Sequence, residues 1–203
     1  MTRKIVAFAG FQGSGKDFQC NQLVKQGNYK RMAFADALRD IAFSSLGIDK
    51  EIGSKYYEEL KAKDCIEVMV YDNEHNLQQQ VHMNFRKFLE YLGTEGIRNY
   101  DKDFWARALV NRIDKIPEDI NICVSDLRFH NEYKYLKDYA DTHDCEFNFI
   151  FCDYHSDRYE GNNCHASARL AAFLKEVGYS DGDIIRDEDM QHYIDALEEV
   201  NAL

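Results

Sequence analysis

Three short runs along the chain are dominated by apolar residues: KIVAFAG at 4–10, INICVSDLRF at 120–129 and CEFNFIFCD at 145–153. Runs of this length with apolar residues on both alternating faces read as strands buried on both sides, as in a parallel sheet. Elsewhere the apolar positions recur at helical spacing. Phe85, Phe88, Leu89 and Leu92 form one such stripe, Leu170, Phe173, Leu174 and Val177 a second, and Ile194, Leu197 and Val200 a third. YDKDFWARALVNRIDKI at 100–116 reads as a further helix whose apolar face holds Phe104, Trp105, Ala108 and Leu109. Helical segments alternating with buried strands predict an α/β fold of three layers, a parallel central sheet with helices on both faces and ligands gathered at the carboxyl ends of the strands. CIEVMVYDNEHNLQQQVHM at 65–83 departs from this pattern, because two strand-like runs flank DNEHN as in a hairpin. It is read as part of a substrate-binding insertion over 49–84.

The first strand runs directly into GFQGSGKD at 10–17. Gly10, Gly15 and Lys16 satisfy the phosphate-loop pattern G-x-x-x-x-G-K, with a strand before it and a helix after it. In such a loop the backbone N–H groups around Gly10, Gly13, Ser14 and Gly15 surround phosphate oxygens, the helix offers its positive end, and Lys16 bridges the terminal phosphates. The motif therefore points to a nucleoside triphosphate, and the fold expected is of the P-loop NTPase type. Asp17 stands where a hydroxyl residue usually closes the motif. A carboxylate about 4 Å from a phosphate oxygen would repel it by roughly 4 kcal/mol at an effective dielectric near 20. Two readings remove the conflict: Asp17 as a direct or water-mediated Mg²⁺ ligand, or Asp17 as a helix-dipole charge in the first turn.

Composition adds boundaries. With 203 residues and no Pro/Gly/Ser-rich linker, the chain is expected to form one domain over 1–203. Its formal net charge of -11 supplies no general field for a polyanion, so nucleic acid is disfavoured as a partner. Six cysteines without a C-x-x-C pair suit reduced thiols, and no apolar run approaches membrane-spanning length; a cytoplasmic protein is expected, in the host cytoplasm if viral.

Downstream of the loop lie FADALR at 34–39, FLEYLGTEGIR at 88–98, FWARAL at 104–109 and VSDLRFHNE at 124–132. Together with GSGKD, in this order, they resemble the bacteriophage-type deoxynucleoside monophosphate kinases, over residues 3 to about 170. The resemblance implies transfer of the ATP γ-phosphoryl group to a deoxynucleoside 5′-monophosphate, with Mg²⁺. It also makes aspartate after the loop lysine a familiar variant. Because the acceptor is already anionic, the chemistry needs cations more than a general base. The candidates are Lys16, Arg39, Arg86, Arg98, Arg128 and Arg158, with Arg98 placed first for clamping the acceptor phosphate because a guanidinium matches phosphate oxygens bidentately. Lys16, Arg128 and Arg158 are assigned to the transferred group, and Asp126 joins Asp17 as a candidate metal residue. Asp126 could instead fix Arg128 or cap the following helix. Asp36 is either an N-cap or an acceptor for the substrate, and Trp105 either stacks on the base or packs in the interior.

The polar segment 153–169 is where monophosphate kinases close a lid, and Arg158 and Arg169 are its cations. The family's H-x-S-E pattern is broken at Ala168 in HASA. A zinc reading of Cys152, His155, Cys164 and His165 is disfavoured by the poor chelating geometry of adjacent Cys and His. NRID at 111–114 lies within a helical pattern and so does not mark a GTPase. The alternatives are a non-catalytic nucleotide-binding module and a related kinase acting on a hydroxymethylated base in DNA or another phosphate acceptor. Base preference is not legible, and a homodimer is a common default for such enzymes.

Overall fold

Strand β1 (Lys4–Gly10) alternates its side chains between two buried layers. Ile5, Ala7 and Ala9 enter a large core, while Val6 and Phe8 enter a smaller one with Cys20, Cys123 and Cys152. Burial on both faces explains why the run is uniformly apolar. The structure, a computed structural model, describes residues 2–64, 66–72, 77–154 and 168–201.

The helix α1 (Lys16–Gln26) leads from β1 to β2 (Tyr29–Met32), which pairs in parallel with β5 (Asn121–Val124). β5 pairs in parallel with β1, and β1 with β6 (Glu146–Cys152), giving the order β2-β5-β1-β6. The chain therefore leaves β1 toward one edge and returns across it from β5 to β6 through α7 (His130–Thr142). β5 ends opposite Ala7 while β1 runs on to Gly10 beside β6, and the carboxyl ends of strands are where α/β sheets bind ligands. The open side of β6 carries a short antiparallel bridge between Ile150 and Ile184, extended by Ile185 N–H donating to Phe149 O at 2.7 Å. The large core is completed by α6 (Phe104–Ile113), α7, α8 (Arg169–Glu176) and α9 (Asp187–Asn201). The expected α/β fold with a parallel sheet and helices on both faces is what forms.

Two refinements concern helices and edges. On α6 the buried positions are Trp105, Ala106, Leu109 and Ile113, so the inward stripe runs one position from the expected Ala108. β2, which the apolar pattern did not mark, is a four-residue edge strand that is buried only at Met32.

The chain divides into two compact units, residues Met1–Phe34 with Trp105–Leu203, and residues Ala35–Phe104. The expected insertion 49–84 lies within the second unit. That unit contains most of α2 (Phe34–Ser45), α3 (Lys50–Lys55), α4 (Tyr57–Ala62), an antiparallel pair β3 (Ile66–Asp72) and β4 (Leu77–Met83), and α5 (Phe85–Glu90). The β3/β4 pair realises the hairpin expected around DNEHN, whose residues 73–76 are outside the described set. Its core is aromatic. Phe43 stacks on Phe85 at 4.8 Å between centroids and Tyr57 meets Phe85 edge-on at 5.9 Å, the offset and edge geometries that aromatic quadrupoles favour. After α5 the chain widens into a π-helix, Tyr91–Arg98. GTEGIR was expected to carry a phosphate clamp, and π-turns are frequent at functional sites.

Candidate active site

The phosphate-loop conformation depends on glycine. Gly10, Gly13 and Gly15 have φ values of 148°, 77° and 88°, backbone states that a Cβ disfavours. Gly10 is the most constrained, because a Cβ there would lie 2.1 Å from the Cys152 carbonyl oxygen. Gly15 then forms the N-cap of α1 in the left-handed region. The loop thus turns from the end of β1 into the amino end of α1, where helix N–H groups and dipole favour an anion.

Lys16 folds back over this loop. Its Nζ donates to Gly10 O at 2.8 Å, Phe11 O at 2.5 Å and Ser14 Oγ at 3.3 Å. The residue is only 7% exposed, and burial pushes its pKa down to about 8, with the nearby Arg128 charge adding to the shift. Of the other expected cations, Arg128 is near enough for its charge to act on Lys16. Arg128 itself is exposed, and its backbone N–H donates to Glu132 Oε2 at 2.8 Å. The same carboxylate accepts from Phe129 N–H at 3.1 Å, so buried Glu132 holds the turn that presents Arg128 and starts α7.

Asp17 resolves its charge conflict in a way neither sequence reading contained. Arg31 on β2 donates to Asp17 Oδ1 from Nη2 at 2.7 Å and from Nε at 3.2 Å. Burial alone would raise the Asp17 pKa. The Arg31 hydrogen bond and charge outweigh it, with help from Ser125 and Lys16, and hold the carboxyl below its usual range. Asp17 also sits in the first turn of α1, as the dipole reading required. Arg31 is a residue that sequence reasoning missed. The signal available was the need for a counter-charge to Asp17, but no spacing rule pointed to position 31.

Asp126 is a cap, though for a different helix from the one expected. Its Oδ1 accepts from Phe34 N–H at 2.8 Å, fixing the start of α2, whereas α7 is served by Glu132. Asp36 is not the N-cap of α2; it lies in the first turn and accepts from Arg39 Nη2 at 2.6 Å. Asp17, Asp126 and the Ser125 hydroxyl are hard oxygen donors, the set that suits Mg²⁺, which needs only one or two carboxylates when phosphates supply further ligands. The Ser125 hydroxyl oxygen is buried and has no hydrogen-bond partner among the described residues, so the donor set fits such an ion. Among the described residues no group of three or more His, Cys, Asp or Glu is placed to hold a metal. Of the zinc candidates, Cys152 is buried at the end of β6 and the other three are outside the described residues.

The remaining candidates are Arg39, Arg86 and Arg98 in the second unit and Trp105 in the first. Besides its ion pair with Asp36, Arg39 lies over the Tyr57 ring at 5.6 Å. Arg86 pairs with Glu90 at 3.1 Å across one helical turn, both side chains about half exposed. Arg98 is partly buried at the close of the π-helix. Trp105 is 4% exposed, which leaves little ring surface for a stacked base. Arg158 and most of the expected lid, residues 155–167, are outside the described residues; Arg169 begins α8.

The fold is α/β, a parallel sheet flanked by helices, with a glycine-rich turn after the first strand. No protein-family model and no curated protein matches the sequence. Among solved structures, the chain is similar to the Mycobacterium tuberculosis APS kinase CysC in complex with AMPPNP and APS, with 15% identity and a TM-score of 0.38 over 97% of this chain and 98% of that one. A likeness this loose leaves the functional reading to the chain's own residues. No helix among the described residues is long and apolar enough to cross a membrane.

Proposed function

We propose that the chain is an ATP- and Mg²⁺-dependent kinase that phosphorylates deoxynucleoside 5′-monophosphates to diphosphates, supplying DNA precursors. The observation that carries the nucleotide part of this reading is Lys16 seated on the carbonyls of a loop of three positive-φ glycines at the end of β1. The acceptor part rests on the motif set FADALR, GTEGIR, FWARAL and VSDLRFHNE, which resembles that of the phage-type enzymes.

In this reading Lys16 leaves the loop carbonyls and moves its ammonium onto the β- and γ-phosphates, while the loop amides hold the remaining oxygens. Arg128 offsets charge that develops as the acceptor phosphate oxygen bonds to the γ-phosphorus and the bond to the β-γ bridging oxygen breaks. No proton need be removed from the acceptor. Asp17 and Asp126 are the residues that would hold Mg²⁺, which when bound supplies charge neutralisation on the phosphates. Arg98 binds the acceptor phosphate, with Arg39 and Arg86 beside it in role, and Arg158 would come from the lid.

A coupled assay for ADP release across the four common deoxynucleoside monophosphates and their hydroxymethylated pyrimidine forms tests the proposal. ATP consumption that depends on one of these acceptors is expected. ATP binding without such turnover would instead favour the nucleotide-binding module, a reading to which the existing pairing of Arg39 with Asp36 and Arg86 with Glu90 lends weight.

A further inference from the structure

Ser125 follows the last residue of β5 and is only 2% exposed. Its backbone is fixed, since its N–H donates to Met32 O at 3.2 Å, yet its buried hydroxyl oxygen has no hydrogen-bond partner among the described residues. An unsatisfied buried hydroxyl costs on the order of 1–3 kcal/mol, so it calls for a physical account. The hydroxyl lies near Asp17 without bonding to it: Met32, which accepts the Ser125 N–H, adjoins Arg31, whose guanidinium holds the Asp17 carboxylate.

The phosphate-loop pattern ordinarily has a Ser or Thr after the lysine, and that hydroxyl contacts Mg²⁺. Here the position is Asp17, and one of its oxygens already accepts both Arg31 donors. The loop therefore lacks its neutral oxygen at position 17, while a neutral, buried and unpartnered oxygen stands beside Asp17, delivered by a different strand. We propose that the Ser125 hydroxyl takes over this task and is an oxygen ligand, with Asp17, of the Mg²⁺ that accompanies the nucleoside triphosphate. Arg31 complements this arrangement by cancelling the charge that aspartate adds to the loop. The inference rests on the phosphate-loop reading but not on the identity of the acceptor.

Nucleotide affinity measured calorimetrically, with Mg²⁺ and with chelator, provides the test. In the wild-type chain Mg²⁺ should strengthen ATP binding. Ser125→Ala should cut that enhancement by about tenfold, the scale of losing a ligand-supporting group, while metal-free ATP affinity and the melting temperature stay near wild type. Ser125→Thr should restore it. In Ser125→Cys, Cd²⁺ with ATP should produce a thiolate-to-cadmium absorption beyond that of the wild-type cysteines, because thiolates select softer ions. An unchanged Mg²⁺ enhancement in a folded Ser125→Ala chain overturns the inference, as does its absence from the wild type. Should the alanine variant not fold, a silent cadmium spectrum in Ser125→Cys overturns it. If the wild-type chain binds no ATP at all, the phosphate-loop reading fails and takes this inference with it.

Discussion

The phosphate loop and the second unit solve the problem of holding charge in opposite ways. At the loop, backbone does the work: three glycines in positive-φ states, main-chain carbonyls around Lys16, and a helix end. In the second unit, residues 35–104, charged side chains lean on one another, Arg39 on Asp36 and Arg86 on Glu90, over an aromatic core built on Phe43 and Phe85. A site made of backbone is preorganised by the fold itself. One made of long side chains must exchange existing partners for a ligand, so its affinity is a difference between two similar sets of contacts.

That contrast can be broken first at the loop. Lys16→Ala should lower phosphoryl transfer by about a thousandfold or more, and should leave the chain folded, because it removes a buried ammonium. Transfer assays with a thermal melt check both halves; near-normal turnover would contradict the site assignment. Gly10→Ala should come next, losing nucleotide binding and stability together, since its Cβ would meet the Cys152 carbonyl at 2.1 Å. Calorimetric titration and melting of that variant test this.

Smaller effects should follow from the charge pairs. Arg31→Ala leaves Asp17 uncompensated and should weaken ATP by about tenfold or more, and adding Asp17→Asn should recover much of the loss. Two independent losses that simply add would show that the pair does not act as a unit. Arg98→Ala should raise KM for the deoxynucleotide about tenfold with little change in KM for ATP. Arg86→Ala should change it less, since that cation already has a partner half exposed to solvent, and steady-state kinetics rank the two.

The gentlest probe is pH. The Lys16 pKa is lowered from 10.5 to about 8 in the folded chain, so the unfolded chain binds the extra proton between those values. Stability contributed by this group therefore rises with pH across that window. Nucleotide phosphates favour the charged ammonium, so ATP binding at and above the folded-state pKa should take up a proton and weaken as pH rises. Calorimetry in two buffers of different ionisation enthalpy measures the uptake, and Lys16→Ala should abolish it.

Much of this was visible in the chain before folding, and particular residues show why the rest was not. β1, β5 and β6 were legible because apolar residues dominate each run and the sheet buries most of them. β2 was not, because YKRM is a half-exposed edge of four residues and carries no such pattern. The π-helix at Tyr91–Arg98 lengthens each hydrogen bond of an α-helix by one residue, too small a change for periodicity over eight positions to mark. Glu132 was the cap nobody would assign from spacing alone, since a capping box ordinarily begins with Ser or Thr and here begins at Phe129.

Sequence alone determined the glycine-rich turn, the apolar strands β1, β5 and β6 and the acidic anomaly at position 17, because each is written in residues a few positions apart. Tertiary structure alone decided what becomes of that anomaly. Arg31 is 14 residues from Asp17, Ser125 lies just past the end of β5, and Asp126 caps a helix that starts 92 residues earlier. Electrostatic and hydrogen-bond partners are chosen by distance in space, and only sheet pairing brings β2, β5 and the start of α1 to one edge.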